Sequence, residues 1–87
     1  MRLRIRRRAK KELLGIDEDA TFFAVVRAIL DLEVNPRPRG YDKVEGQVEI
    51  YRIWAGRDWR VLYSINVACD ELIIEAVRKK EEQTYRR

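Results

Sequence analysis

The feature that most restricts the fold is an alternating stretch at residues 48–65. Its first half, VEIYRIWA, alternates with a period of two, so Tyr51 and Ile53 share one face of a predicted strand and Arg52 lies on the other. A Gly-Arg-Asp turn follows, and the second half, WRVLYSI, alternates in the same way with Arg60 facing away from its apolar residues. These residues predict an antiparallel hairpin with one buried face.

The hairpin predicts a pair of arginines on one face of a sheet. If the apolar residues, Val61 and Tyr63 among them, face a core, Arg52 and Arg60 project side by side from the opposite face. Guanidinium groups can bind phosphate through two parallel hydrogen bonds. Arginine is also common on the solvent side of a half-buried strand without any function, so the pattern alone leaves the choice open. The hairpin is therefore a candidate phosphate-binding surface.

Length and composition favour one domain spanning residues 1–87. A chain of 87 residues is near the lower limit at which a single core suffices, and its 46% hydrophobic residues are enough to build one. The 19 Lys and Arg exceed the 15 Asp and Glu, which gives a net charge of +4. This moderate excess favours polyanions or an acidic protein as partners.

The sequence also limits the chemistry and the compartment. It has one cysteine, Cys69, and no apolar run near the roughly 20 residues of a membrane span. It has no histidine, which removes the usual general base at neutral pH and argues against a transition-metal site. We therefore expect a soluble cytoplasmic protein with no metal, no other cofactor and no membrane partner.

The remaining segments predict an α+β fold of order β-α-α-β-β-β. The two helices should pack on one face of a mostly antiparallel four-stranded sheet. Phe23 and Leu30 widen the apolar stripe of the second helix, so we expect both in the core. Besides the hairpin, the predicted elements are a strand at residues 2–6, helices at 7–15 and 17–34, a proline-containing crossover at 35–47 and an interior strand at 71–77.

Three segments resemble the RelE/ParE superfamily of bacterial and archaeal toxins. Residues 51–63 of the hairpin are similar to the family pattern YRIRVGxYRVIY, and residues 35–46, NPRPRGYDKVEG, are similar to its NPRPxGYxKLxG segment. Residues 78–85 resemble the basic cluster and tyrosine that end many members. The resemblance covers nearly the whole chain. It implies a RelE-like fold and the toxin of a type II toxin–antitoxin system.

The resemblance implies one of two main activities. RelE-like members are endoribonucleases, or mRNA interferases, that inhibit translation by cleaving messenger RNA in the ribosomal A site. ParE-like members poison DNA gyrase, and a third alternative is an inactive module that only binds its antitoxin. We favour RNA cleavage because of the cations and the terminal tyrosine. The implied partners are the ribosome and mRNA, or DNA gyrase in the alternative, and a cognate antitoxin with an acidic, partly helical segment.

Cleavage of RNA without a metal needs a base for the 2′-hydroxyl, a cation for the charge on phosphorus and a group that neutralises the leaving 5′-oxygen. From the resemblance and the absence of histidine, we assign the phosphate to Arg52 and Arg60. Tyr85 could act as the base if nearby cations lower its usual pKa of about 10. Lys79 could stabilise the leaving oxygen.

Further residues are predicted to bind RNA. Trp54 stands where RelE-like members often carry a second cation, and its indole could stack on a base or cover part of an antitoxin helix. The sequence does not separate these two roles. The full predicted set is Lys43, Trp54, Arg57, Arg78, Lys80 and Arg86.

Overall fold

Two helices lie on one face of a five-stranded sheet. The structure, a computed structural model, describes residues 1–44 and 49–80. The strands are ordered β1-β5-β4-β3-β2, with β1 parallel to β5 and the other neighbours antiparallel. The elements are β1 (Arg2–Ile5), α1 (Arg7–Leu14), α2 (Asp19–Val34), β2 (Asp42–Lys43), β3 (Tyr51–Ala55), β4 (Trp59–Asn66) and β5 (Glu71–Lys79).

This architecture confirms the predicted α+β class, with one additional strand. The prediction had four strands, and the fifth, β2, is a two-residue strand within the proline-containing crossover. It pairs with β3, and Asp42 lies opposite Arg52. The crossover therefore extends the sheet as well as linking helix to sheet, and it brings a carboxylate beside the hairpin.

The hairpin has the predicted assignment of faces. Three side chains of the hairpin are buried in the core, where they form one cluster with residues of α1 and α2: Ile53, Val61 and Tyr63. Because side chains alternate along a strand, Arg52 and Arg60 lie on the opposite face. Gly56 in the turn has a φ of 66°, which glycine adopts without steric cost.

The first strand of the hairpin is shorter than predicted. It begins at Tyr51, because Glu49 has a φ of 58° in the left-handed region and therefore cannot continue a strand. Val48, the predicted start, lies outside the described residues. The shortening leaves the alternation from Tyr51 onward unchanged.

A β-bulge in β5 changes which side chains face the helices. Glu75 is the extra residue, because β4 pairs with the residues on either side of it. Ile74 before the bulge and Val77 after it both pack in the core. The bulge shifts the alternation by one residue, so Arg78 lies on the face away from the helices, directly opposite Arg60.

The second half of β5 is bordered by α1 instead of a strand. β1 pairs with β5 only as far as Ile74. Beyond that point the Val77 N–H donates to Oε1 of Glu12 at 2.8 Å, so a carboxylate takes the place of a strand carbonyl. The other carboxylate oxygen lies 3.7 Å from Nε of Arg78. Glu12 therefore closes this sheet edge and contacts Arg78.

Helix α2 packs with a narrower stripe than the sequence predicted. Val25, Ile29 and Leu32 are buried, but 65% of Phe23 and 51% of Leu30 is exposed, so the expectation that these two lie in the core is wrong. They lie on the outer side of α2, and α1 packs against β5 instead of covering them. Neither helix in the described ranges is long and apolar enough to cross a lipid bilayer.

Tyr63 fastens the crossover to the sheet. Its side chain is fully buried, and its hydroxyl donates to the carbonyl oxygen of Pro36 at 2.7 Å. Burial, followed by nearby Tyr41, raises the pKa of Tyr63 to about 12, so the hydroxyl keeps its proton throughout the physiological range. This hydrogen bond fixes the end of the crossover that follows α2.

Removing the Tyr63 hydroxyl should destabilise the fold. Tyr63→Phe keeps the ring but leaves the Pro36 carbonyl without its donor, which should lower the free energy of unfolding by about 1 to 2 kcal/mol. Urea denaturation should show a lower midpoint at an unchanged slope. Tyr41→Phe, which alters a tyrosine that is 36% exposed, is the matched control and should stay near the wild-type value. Equal stability of Tyr63→Phe and wild type would contradict the proposed role of the bond.

Candidate nucleic-acid interface

The sheet face away from the helices, which we call the open face, carries a cluster of cations around Arg60. In β4, Arg60 lies between Trp54 of β3 and Arg78 of β5, each directly opposite it in register. Lys80 follows immediately after β5, and its Nζ lies 5.8 Å from the centroid of the Trp54 ring. The side chains of Arg60 and Lys80 thus meet the indole at this end of the sheet, and Arg78 is next to Arg60 in the register.

The Arg60 guanidinium packs on the Trp54 ring, and one of its N–H groups has no hydrogen-bond acceptor among the described residues. Its carbon Cζ lies 5.9 Å from the Trp54 ring centroid, a favourable distance for a cation–π contact. Its Nε is buried and has no hydrogen-bond partner among the described residues. A buried donor that lacks an acceptor is costly in a folded protein, and such groups often serve a bound ligand. Arg60 is therefore suited to receive an anionic oxygen.

The Trp54 indole is positioned by cations. It is 46% exposed and contacts both Arg60 and Lys80. The backbone N–H of Lys80 donates to the carbonyl of Asp58 at 2.6 Å, which ties the end of β5 to the hairpin turn. An exposed aromatic ring beside two cations can stack on a nucleobase whose phosphate the cations hold.

Arg52 is placed differently from the prediction. It lies opposite Leu62, two residues along the sheet from the Trp54–Arg60 pair, so the two arginines are not side by side. It also makes two hydrogen bonds to Asp42, from Nε at 3.1 Å and from an Nη atom at 2.9 Å. The hydrogen bonds from Arg52 hold the pKa of the Asp42 carboxyl below its ordinary value. A phosphate would have to compete with Asp42 for Arg52.

Two predicted lysines lie away from the cluster. Lys79 lies opposite Trp59, which packs against the core, so strand alternation places Lys79 on the helix side of the sheet. Lys43 lies opposite Tyr51 and is on that same side. Both are exposed at the edge of the described sheet but point away from Arg60. Lys80, predicted to bind RNA, is the lysine that lies beside Trp54, whereas Lys79, predicted to stabilise the leaving oxygen, does not.

The other predicted residues lie in the turn or beyond the described chain. Arg57 is exposed in the tight turn between β3 and β4, next to the end of the open face. Tyr85 and Arg86, predicted as base and RNA contact, lie outside the described residues. Their roles remain predictions from the sequence.

Two arginines of β1, and Arg6 directly after it, are paired with glutamates of β5 at the other end of the open face. Arg2 and Arg4 lie 3.3 Å and 3.7 Å from carboxylate oxygens of Glu71, and Arg6 donates from Nε to Glu75 at 2.7 Å. Sequence reasoning missed these acidic partners, because only the parallel pairing of β1 with β5 brings them together. Arg2, Arg4 and Arg6 are thus engaged in ion pairs with the neighbouring strand.

Glu75 makes the open face sensitive to acid. Burial alone would raise the pKa of Glu75. Hydrogen bonds from Arg6 and Ser64, together with the nearby positive charges, lower it by more than burial raises it, so the pKa lies below its ordinary value of 4.5. A carboxyl whose pKa is lowered on folding stabilises the protein above its unfolded pKa. That contribution is lost as the pH falls through the folded value.

Glu75→Gln should therefore matter most at neutral pH. The variant should be less stable than wild type by about 1 to 3 kcal/mol near pH 7, because the charged hydrogen bonds are lost. The difference should shrink as the pH is lowered to about 3, where the wild-type carboxylate becomes protonated too. Urea unfolding at several pH values measures it, with Glu33→Gln, an exposed carboxylate of α2, as control. A difference that does not vary with pH would contradict the assignment.

Within residues 1–44 and 49–80, no three acidic or cysteine side chains come together as a metal site would require. The candidate site therefore consists of guanidinium and ammonium groups, an indole and backbone.

Known structures share this architecture. The isolated RelE toxin of Escherichia coli superposes with a TM-score of 0.79 and 20% identity over 93% of this chain and 85% of that one. A chain of the archaeal RelE–RelB complex from Pyrococcus horikoshii gives 0.73 and 26% identity over 93% and 96%. The YoeB/ParE toxin from Agrobacterium tumefaciens gives 0.76 and 14% over 93% and 100%. No protein-family model and no curated protein matches the sequence.

The helices on one face and the cationic open face define a small α+β protein suited to bind an anion on its sheet. More specifically, the chain has the fold of the RelE/ParE superfamily toxins. The RelE-like fold that the resemblance implied is confirmed by this comparison.

Proposed function

We propose that this chain is the toxin of a type II toxin–antitoxin system and that it inhibits translation by cleaving messenger RNA on the ribosome. The observation that carries the proposal is the buried Nε of Arg60, which lacks a partner in the described chain and lies within a group of cations beside an exposed indole. The protein would act in the cytoplasm as a single domain of residues 1–87.

The proposed chemistry needs no metal ion. A base, which the sequence assigns to Tyr85, takes the proton of the 2′-hydroxyl as its oxygen bonds to the adjacent phosphorus. The bond from phosphorus to the 5′-oxygen breaks, and a nearby cation neutralises that leaving oxygen. Additional negative charge develops on the phosphoryl oxygens in between. Arg60 would donate hydrogen bonds to that developing charge from a fixed position, which is where electrostatic stabilisation is most effective. Arg78 lies directly opposite Arg60, but its Nε is 3.7 Å from a carboxylate oxygen of Glu12, so it would add only part of its charge to the same site.

The indole and the flanking cations would bind the RNA. Trp54 would stack on one base, a contact worth about 1 to 3 kcal/mol per base in single-stranded recognition. Lys80 and Arg57 would hold the phosphates on either side of the cleavage point. Lys80, which contacts Trp54, is better placed than Lys79 to neutralise the leaving oxygen.

An antitoxin would cover the same surface. Solved relatives of this fold include the intact RelBE toxin–antitoxin complex of Escherichia coli, which shares 20% identity with this chain. For this chain we propose an acidic, partly helical antitoxin segment that folds against the open face, with Trp54 as an aromatic anchor. Coexpression of such a protein should restore growth, and Trp54→Ala should weaken the complex.

Induced expression followed by primer extension on cellular messages tests the activity. Cuts in phase with codons, absent when Arg60→Ala is expressed, would support cleavage on the ribosome. Intact messages together with accumulating double-strand DNA breaks would replace the proposal with gyrase inhibition. Intact messages and intact DNA, with the antitoxin still bound, would reduce the protein to an antitoxin-binding module.

A further inference from the structure

The outer side of α2 carries a row of side chains with coiled-coil spacing. The row, which we call the outer seam, consists of Ala20, Phe23, Arg27, Leu30 and Val34. Successive members are three, four, three and four residues apart, as at the a and d positions of a heptad. The seam points away from the stripe of α2 that is buried against the sheet.

The seam is uncovered in the described chain. Phe23 is 65% exposed, Leu30 51% and Val34 87%, although all three are large apolar residues. Single exposed apolar side chains are common on protein surfaces, but a continuous row on one helix is typical of an interaction site. Because α1 packs against β5, no described element is placed to cover it.

The seam is complementary to itself. When two copies of α2 are placed antiparallel about a two-fold axis near residues 28 and 29, Phe23 meets the partner's Val34 and Arg27 meets the partner's Leu30. Arg27 then also approaches the partner's Asp31, one residue further along. Within one chain the Arg27–Asp31 pair is long, at 4.0 Å, and both side chains are mostly exposed, so the pair can be exchanged for one between subunits.

Charge also favours a second copy as the occupant. Two chains of net charge +4 repel each other, so a stable contact between them must be uncharged overall or must pair opposite charges across the interface. The seam with Asp31 contains one cation and one anion, and the two-fold arrangement pairs each cation with an anion of the other copy. A single polar residue at an a position, here Arg27, can also fix the register of such a helix pair.

We propose that two copies of this chain associate through the outer seam as an antiparallel helix pair. The seam lies on the opposite side of the molecule from the open face, so the dimer leaves both Arg60 clusters accessible. This inference does not depend on the proposed nuclease function. A helix of 16 residues is about 24 Å long, which makes the interface small and the dissociation constant micromolar in order of magnitude.

Sedimentation equilibrium of the purified full chain tests the proposal. At about 100 μM the wild type should show a mass near twice the 10.4 kDa of one chain, falling toward one chain on dilution. Leu30→Glu should raise the dissociation constant by about 30-fold or more, as for a central hot-spot residue. Val67→Glu, which changes an apolar residue that is 74% exposed outside the seam, should dimerise like wild type.

A charge exchange tests the antiparallel register. Arg27→Asp and Asp31→Arg should each weaken the dimer, because each places like charges opposite one another. The double variant should recover most of the wild-type affinity. Circular dichroism should show unchanged helix content in all of them.

Three results would overturn the proposal. They are a monomeric wild type at 100 μM, equal effects of Leu30→Glu and Val67→Glu, or a double charge variant as weak as the single ones. A chain that stays monomeric but loses its antitoxin with Leu30→Glu would assign the seam to that partner instead.

Discussion

Arg60→Ala should lower single-turnover cleavage of messenger RNA on programmed ribosomes by about 100-fold or more. This loss of rate is the size seen when an enzyme loses one hydrogen-bond donor that stabilises negative charge developing in the transition state. Arg60 is held between Trp54 and Arg78, and its buried Nε lacks an acceptor in the described chain, so the charge is already in place before substrate arrives. An interaction strengthened only in the transition state affects the rate much more than binding.

Two further variants sharpen this test. Arg60→Lys keeps a positive charge but loses the planar fork of donors, so it should recover only a small part of the rate. Arg7→Ala removes an exposed arginine of α1 and should cleave like wild type. A rate for Arg60→Ala within a few-fold of wild type, with ribosome binding unchanged, would remove Arg60 from the catalytic assignment.

Tyr85→Phe should produce a loss of comparable or greater size. If Tyr85 takes the proton of the 2′-hydroxyl, deleting the tyrosine hydroxyl removes the general base. General base catalysis typically raises the rate by about 100-fold to 10,000-fold. This prediction comes from the sequence alone, because Tyr85 lies outside the described residues. The same single-turnover assay measures it, and the rise in rate with increasing pH that reports deprotonation of the base should be lost in the variant.

The tyrosine variant needs a control for RNA binding as well as for folding. Phenylalanine keeps the ring, so binding to the ribosome and the unfolding midpoint should remain near wild type. Near wild-type cleavage by Tyr85→Phe would place the base elsewhere. Lys80 would then be the first residue to test, because it lies beside Trp54 on the open face.

Arg52 should contribute less than Arg60 to the rate. Its guanidinium makes two hydrogen bonds to Asp42, and a phosphate that takes Arg52 must displace that carboxylate or share it. A phosphate therefore competes with Asp42 for Arg52 at the edge of the site, whereas the Nε of Arg60 has no hydrogen-bond partner among the described residues. Sequence reasoning assigned both arginines to the phosphate, and the structure distinguishes them by their partners.

The alternation of the hairpin was sufficient to predict its two faces. Side chains repeat every two residues along a strand, so once Ile53 and Val61 are assigned to a core, Arg52 and Arg60 must lie opposite it. The same reasoning predicted the interior position of β5 from its nearly continuous apolar run. The spacing of apolar residues along a strand shows which side chains face the core, because only one face of the sheet is buried against the helices.

Local periodicity could not predict which side chains meet across strands. Arg60 faces Trp54 because the turn sets the register of the hairpin, and Arg52 meets Asp42 because the crossover forms β2. The bulge at Glu75 moves Arg78 and Lys80 onto the open face and Lys79 off it. Without this extra residue, strict alternation would have placed Lys79 on the open face, as the sequence assignment required.

The sequence by itself therefore determined the fold class and the two faces of the hairpin, because both follow from the spacing of apolar residues along the chain. The tertiary structure decided the composition of the site and the exposure of α2. Phe23 and Leu30 lie within a wide apolar stripe, and only the short α1, packed against β5, leaves them exposed. A helical pattern shows which side chains can be buried, whereas the neighbouring elements decide which of them are covered.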